Sequence, residues 1–320
     1  MKKYISYLDY FFVLRPTLFF PVWTIGLAGV WAQNRFDSPE PAGFIPALPA
    51  LQQVDWTMVL YLGLFTLMMG AVFLINQIQD VESDRLNNKL FLIANGDIPM
   101  RNAYLETSLL TVLPVVVVFL LNKPLALVMV VAYIIMGWMY SCKPLLLKNK
   151  PVGGFLPNFF GGYLVFSFGW MIHGQLSWNM LWYATPYILG MMAVYLFTTV
   201  PDMEGDRAAA KITVAVKYGK DPVIIAGLYT DCVAIITGIL THDVVVLVPT
   251  LLVLPFFMYS TRTKSINHVL TTNKFAALFL SLVICYRFPL YFALIFVLYF
   301  FSKWYYKQRF NILYPSLRTK

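Results

Sequence analysis

Apolar runs that reach or approach the roughly 20 residues needed to cross a hydrocarbon core recur along the whole chain. No other feature constrains its fold so tightly. They centre near 11–31, 57–79, 104–121, 125–140, 152–172, 180–200, 222–240, 244–260 and 275–300. Pro, Gly and charged residues punctuate them, as at Asn122-Lys123-Pro124, Lys150-Pro151, Asp221-Pro222 and Thr241-His242-Asp243. The third-to-fourth and seventh-to-eighth joins are short, which predicts two helical hairpins. Charged residues make up 12% of the 320 residues and hydrophobic ones 59%, whereas soluble domains carry about a quarter charged. The expectation is one all-α integral membrane domain over residues 1–320, with about nine transmembrane helices.

Lys2 and Lys3 are followed by a mixed stretch with Asp9 and Arg15 and no small-residue cleavage site, so the first span is expected to be retained. Cys142, Cys232 and Cys285 are scattered without metal or redox spacing and read as small apolar residues. His173, His242 and His268 are equally isolated. The net charge of +9 follows topology. Basic residues gather at the N-terminus and after the even-numbered spans (Arg85, Lys89, Lys143, Lys148, Arg207 and Lys211 among them), while the opposite loops hold only Arg35 and Lys123. By the positive-inside rule the rich side is cytoplasmic, and no nucleic-acid partner is needed to explain the surplus. The tail resists this scheme. Lys303, Lys307, Arg309, Arg318 and Lys320 follow the ninth span, which would put them outside, and Arg287 and Pro289 interrupt that span.

Where the second span meets the cytoplasm the chain reads Asn76-Gln77-Ile78-Gln79-Asp80-Val81-Glu82-Ser83-Asp84-Arg85. Asn76, Asp80 and Asp84 recur every four residues and share a helix face. Two ionised carboxylates there repel each other, so a cation between them is expected. Mg²⁺ takes one or two carboxylates plus substrate phosphate oxygens, which suits this spacing. A solvated helix end balanced by Arg85 and Lys89 would also account for one such motif. It does not account for two. After the sixth span comes Pro201-Asp202-Met203-Glu204-Gly205-Asp206-Arg207, again with Asp at i and i+4 on the same side. Such a pair of acidic faces can clamp one diphosphate through metal ions. The loop after the fourth span, Tyr140 to Lys148, adds Lys143 and Lys148, with Lys211 a further candidate to hold diphosphate oxygens. Glu82 and Glu204 point off the Asp faces.

In order and spacing, these motifs resemble the UbiA superfamily of intramembrane prenyltransferases. The pattern N-x-x-x-D-x-x-x-D-R-x-N is matched by Asn76, Asp80, Asp84, Arg85 and Asn87. The second, D-x-x-x-D-R followed by K-x-T-x-A-V-x-x-G, is matched by Asp202, Asp206, Arg207, Lys211, Thr213, Ala215, Val216 and Gly219. Tyr140, Ser141, Pro144 and Lys148 match the family's Y-S-x-x-P-x-x-x-K, and Arg15-Pro16 matches in the first span. The resemblance implies helices around a central cavity and transfer of a prenyl group from a Mg²⁺-bound prenyl diphosphate to a lipophilic acceptor. It implies metal ligation by Asp80, Asp84, Asp202 and Asp206, substrate binding by Asn76, Arg15, Arg85, Lys148, Arg207 and Lys211, and a catalytic place for Tyr140.

One departure bears on the acceptor. Many members continue with R-P-x-x-x-G after the first motif; here the stretch is Phe91-Leu92-Ile93-Ala94-Asn95-Gly96. Homogentisate-type members similarly lack that Arg and begin with Asn-Gln, as Asn76-Gln77 does. The acceptor expected is therefore aromatic, like a quinone or tocopherol precursor. A glycerol-phosphate ether lipid is the alternative. A transporter or lipid carrier is the reading from another class, but transporters place such charges near the midplane at broken helices, whereas these acids sit at span ends.

Overall fold

The computed structural model describes residues 5–37, 54–86, 92–208 and 210–315, with backbone alone at 83–86. Hydrocarbon offers no partner for a backbone N–H or C=O, so an apolar chain satisfies them within helices. Among the described residues there is no strand. A short helix α1 (Asp9–Phe12) precedes α2 (Phe19–Asp37), α3 (Trp56–Leu86), α4 (Met100–Leu121) and α5 (Lys123–Ala132). A π-helical stretch, Tyr133–Met139, extends α5. Then come α6 (Pro151–Trp170), α7 (Trp178–Thr198), the short α8 (Met203–Ala208) and α9 (Val214–Tyr218), α10 (Lys220–Leu240), α11 (Val244–Thr263), α12 (Ile266–Arg287) and α13 (Pro289–Phe310).

Seven helical segments are long and apolar enough to cross a bilayer: Ser6–Asp37, Trp56–Glu82, Met100–Leu121, Trp178–Thr198, Lys220–Leu240, Val244–Thr263 and Ile266–Arg287. The chain is a multi-pass integral membrane protein. Seven is fewer than the nine or so spans read from the apolar runs. Lys123–Met139 is apolar but short, α6 is diluted by Gly and Asn, and α13 by Tyr and Lys. The two expected hairpins are present. Asn122 alone joins α4 to α5 and caps α5 by accepting from Leu125 N at 3.1 Å, and Asp243 caps α11 by accepting from Val245 N at 3.0 Å.

The ninth span, expected over 275–300, is two helices. Pro289 has no N–H to continue α12, and the chain breaks at Phe288, whose N–H still reaches Ile284 O at 2.8 Å. Arg287, at the end of α12, lies over the Trp31 ring at 3.9 Å, beside the end of α2. At the far end of α13, Arg309 Nη2 lies 2.9 Å from Asp9 and 2.7 Å from Asp97. So α13 runs back, and its last turn returns to the face that holds α1. The misplaced basic tail of the sequence reading came from treating this turn as one crossing.

Each face of the bundle is fastened by buried polar groups. At the Arg309 end, Tyr305 donates to Asp9 Oδ1 at 2.6 Å. At the other, the buried Asp243 accepts from Tyr187 at 2.9 Å and Trp31 at 3.3 Å, and Arg35 covers the carbonyls of Thr241 and His242 that end α10. Arg35, set aside in sequence as the sparse side's marker, is thus a helix-end clamp. Midway, α2 and α6 approach closely because Gly29 and Gly169 carry no side chain. A Cβ on Gly169 would fall on the carbonyl oxygen of Gly26, and one on Gly29 on that of Phe166, the small-residue packing that brings membrane helices together.

Two outcomes are expected. Gly169→Ala should destabilise by about 1–3 kcal/mol, the usual cost of overpacking, seen as a lower melting temperature in detergent. Gly63→Ala, with nothing within 4 Å of its Cβ position, should be neutral or slightly stabilising. In sealed vesicles, cysteines placed at Asn311 and Lys150 should react with an impermeant maleimide from the same side, and cysteines at Lys123 and Gln175 from the other.

Candidate functional site

Helix α3 is 31 residues long, about 46 Å at 1.5 Å per residue, against a hydrocarbon thickness of about 30 Å. Its last turns therefore project from the apolar layer and carry the first acidic motif with them. There the Lys148 ammonium donates to Asp80 Oδ1 at 2.7 Å and to Asn76 Oδ1 at 2.9 Å. Ser141 donates to the same Asn76 oxygen at 3.1 Å. The side chains of Lys148 and Asp80 are only 8% and 18% exposed, so this pair is screened far less than a surface ion pair.

The loop that delivers Lys148 is shaped locally. Cys142 N bonds Trp138 O, Leu146 N bonds Cys142 O at 2.8 Å, and Leu146 takes the left-handed conformation at φ 41°. A 3-10 turn, Leu147–Asn149, then leads into Pro151 at the start of α6. The second acidic motif is joined to this loop through the backbone, Ile212 N donating to Asn149 O at 3.2 Å. Asp206 N reaches back to Asp202 O at 2.8 Å, and Lys211 N to Asp206 O at 2.8 Å. Asp202 thus stands one turn before Asp206, just ahead of α8.

Tyr140 connects the two motifs. It lies beyond the apolar helix Lys123–Met139 and hydrogen-bonds the Asn158 side chain. Burial pushes its phenol above the ordinary value, and the carboxylates of Asp80 and Asp206 push it further; it is therefore a neutral hydroxyl at physiological pH. Tyr195, on α7, packs edge-on against Phe155 of α6, ring centroids 6.2 Å apart. Burial also raises the Cys142 thiol, with Lys148 opposing, which agrees with reading that cysteine as unreactive.

The structure brings together Asn76, Asp80, Tyr140, Lys148 and Asp206, five of the residues singled out in sequence. Lys211 is half-buried beside Asp206. Asp202 and Arg207 are exposed, as are Lys143, Glu82 and Glu204. Arg15, held in the left-handed conformation at φ 54°, lines a cavity of about 340 Å³ with Gln77, Leu92 and Tyr306, which none of those five lines. The side chains of Asp84 and Arg85, and all of Asn87, Lys89 and Phe91, lie outside the described residues. Gln77 proves to be a strut: it is 2% exposed and donates to Val13 O where the first helix breaks. Its pairing with Asn76 in sequence therefore says little about the acceptor. Sequence reading missed Ser141's bond to Asn76, and also Asn158 and Tyr195; the last two were visible only as polar groups inside apolar runs.

Among the described residues no three His, Cys, Asp or Glu side chains gather into a cage for a metal. The donors present are carboxylates on two separate elements, near a buried ammonium. That set fits a hard cation completing its shell with phosphate oxygens and water, and it does not fit a structural metal.

The described chain is a multi-helix membrane bundle with paired acidic motifs and a buried lysine at one end. The chain belongs to the UbiA prenyltransferase family, which matches residues 41–283. It is 29% identical over 181 residues to a probable homogentisate phytyltransferase 2 of Oryza sativa subsp. japonica, covering 52% of this chain and 48% of that one. It is 31% identical over 168 residues to a homogentisate phytyltransferase of Synechocystis sp., covering 49% and 54%. The chain thus spans about half the length of these curated relatives. The solved UbiA homolog from Archaeoglobus fulgidus bound to GPP and Mg²⁺ has the same fold, with a TM-score of 0.64 at 22% identity over 88% of this chain and 98% of that one.

Proposed function

We propose that this chain transfers a prenyl group from a Mg²⁺-bound prenyl diphosphate to a lipophilic, aromatic acceptor. The observation that carries this is the Lys148–Asp80–Asn76 junction, with the second acidic motif tied to the same loop through Ile212 N on Asn149 O. Asp80 and Asp206 would hold the metal, with Asp84 and Asp202 completing the two acidic faces. A bound Mg²⁺ supplies charge neutralisation for the departing diphosphate.

The chain's own groups do the rest. Lys148 and Lys211 hold diphosphate oxygens as point charges, and Asn76 and Ser141 keep Lys148 aimed while Asp80 turns to its ligand. Because Asn76 fixes the ammonium in advance, little reorganisation is needed when charge develops on the leaving group. Below this layer the rings of Phe155, Phe159, Tyr163 and Tyr195 form a row, neighbouring centroids 5.2–6.2 Å apart. Such faces shield an electron-poor allylic carbon from water and stabilise it by cation–π contact. The aromatic acceptor is supported by the names of the two homogentisate-specific relatives. A cytoplasmic site is supported by the basic loops on this face.

The test is incubation of purified protein with Mg²⁺, prenyl diphosphates of several lengths and a panel of phenolic and glycerol-phosphate acceptors, with products read by mass spectrometry. Covalent products that vanish with chelator are expected. Magnesium-independent uptake into liposomes without a product would instead indicate a carrier. Loss of a charge-assisted contact costs about 1.5–3 kcal/mol, roughly tenfold or more at 1.4 kcal/mol per decade. Lys148→Ala should therefore lower kcat/KM for the prenyl diphosphate at least about tenfold, while Lys123→Ala, on the opposite face, should leave it nearly unchanged. Equal small effects would reduce Lys148 to a topology marker.

A further inference from the structure

A second cavity, of about 500 Å³, lies within the bundle between α2, α7, α10, α11, α12 and α13. Its walls are mostly apolar, with Ile25, Met191, Val253 and Phe257 among them. One lining residue does not belong there. Asp231, at the middle of α10, is 1% exposed, and its Oδ2 has no hydrogen-bond partner among the described residues. No Lys, Arg or His lines the cavity.

An ionisable group in the middle of a membrane helix is costly to place, and a buried carboxyl oxygen without a partner adds to that cost. A purely structural acid would be bonded, as Asp9 and Asp243 are in this same bundle. Asp231 keeps a carboxyl oxygen without a partner at the wall of a space of the size that takes a small lipophilic ligand. The other polar groups of the wall are hydroxyls, and two of them bond back to their own helices. Thr24 donates to Phe20 O at 2.9 Å, and Thr250 to Val246 O at 2.9 Å. The cavity therefore offers one apolar volume and one unmet hydrogen-bond acceptor.

We infer that this cavity binds a lipid carrying a hydroxyl, with its O–H donated to Asp231 and its apolar body against α11 and α12. An ammonium head fits less well, since it would have to leave water entirely to reach the acid. The same chemistry belongs to a phenolic prenyl acceptor and to a long-chain alcohol dissolved in the membrane. Met191, in the wall, is one helical turn from Tyr195, which packs against Phe155. The inference does not depend on prenyl transfer, and it is tested without diphosphate or Mg²⁺.

The experiment uses full-length protein in nanodiscs and diazirine-bearing probes: a long-chain phenol, a long-chain aliphatic alcohol and the methyl ether of each. Crosslinked peptides are mapped by mass spectrometry. A hydroxyl probe should label the α11 and α12 wall, and its ether, which keeps the tail but loses the donor, at least about tenfold less. Phenol-selective labelling would identify the acceptor as the occupant, and alcohol-selective labelling a membrane alcohol. Asp231→Leu should abolish the preference for O–H over ether without lowering the melting temperature, since it removes an unpaired polar group. Asp231→Asn, which keeps a carbonyl acceptor, should retain it. Ethers labelling as well as hydroxyls, or an unchanged preference in Asp231→Leu, would overturn the inference. So would a marked loss of melting temperature in Asp231→Leu, which would make the acid structural.

Discussion

Hydrocarbon forms no hydrogen bonds, and the placement of nearly every polar group in this bundle follows from that. The backbone turns inward into helices, and polar side chains collect in two layers near the helix ends. One layer, built on Asp243 with Arg35, Tyr187 and Trp31, is closed: its acid accepts from Trp31, Tyr187 and Val245 N and pairs with Arg35 at 3.6 Å. The other, at the Asp80 face, stays open toward water. The difference separates a fastening from a site. At Asp243 the partners are side chains locked by packing, while at Asp80 the direct partner is a lysine on a loop.

That lysine gives the open layer its character. A buried ion pair is weak evidence for stability, because desolvating two charges consumes most of what their attraction returns. In the proposed reading, Lys148 and Asp80 are charges held for a third, ionic participant. Asn76, itself bonded by Ser141, accepts from the same ammonium one turn before Asp80, so the lysine has a second partner beside the carboxylate. The tie from Ile212 to Asn149 places the second acidic motif on the same loop, and Tyr140 stands between the two acids as a neutral hydroxyl.

The turn at Phe288–Pro289 shows how one local feature changes a global reading. Counted as a kink, it leaves the basic tail on the wrong face; counted as a helix end, it brings Arg309 to Asp9 and Asp97. Proline marks both cases alike in sequence. What distinguishes them is whether the following segment finds partners on the return path, and those partners lie some 200–300 residues away in the chain.

The sequence by itself determined that this is a helical membrane protein, because apolar runs of spanning length leave few other solutions. It also determined the acidic motifs and their lysine, because a spacing of four residues on a helix puts side chains on one face wherever that helix goes. It placed the helix-ending residues correctly at Asn122 and Asp243, where capping is local. Only the tertiary structure decided which of the candidates meet. Lys148 reached Asp80 while Lys143, five residues earlier, stayed exposed, since a left-handed turn at Leu146 aims the one and leaves the other outside. Gln77 became a strut and Arg15 lined another cavity, because the first helix breaks where α3 crosses it. Asp231 acquired meaning only when six helices closed a space around it. Periodicity is a property of one segment and can be read from it; convergence is a property of several, and hydrocarbon leaves it to packing.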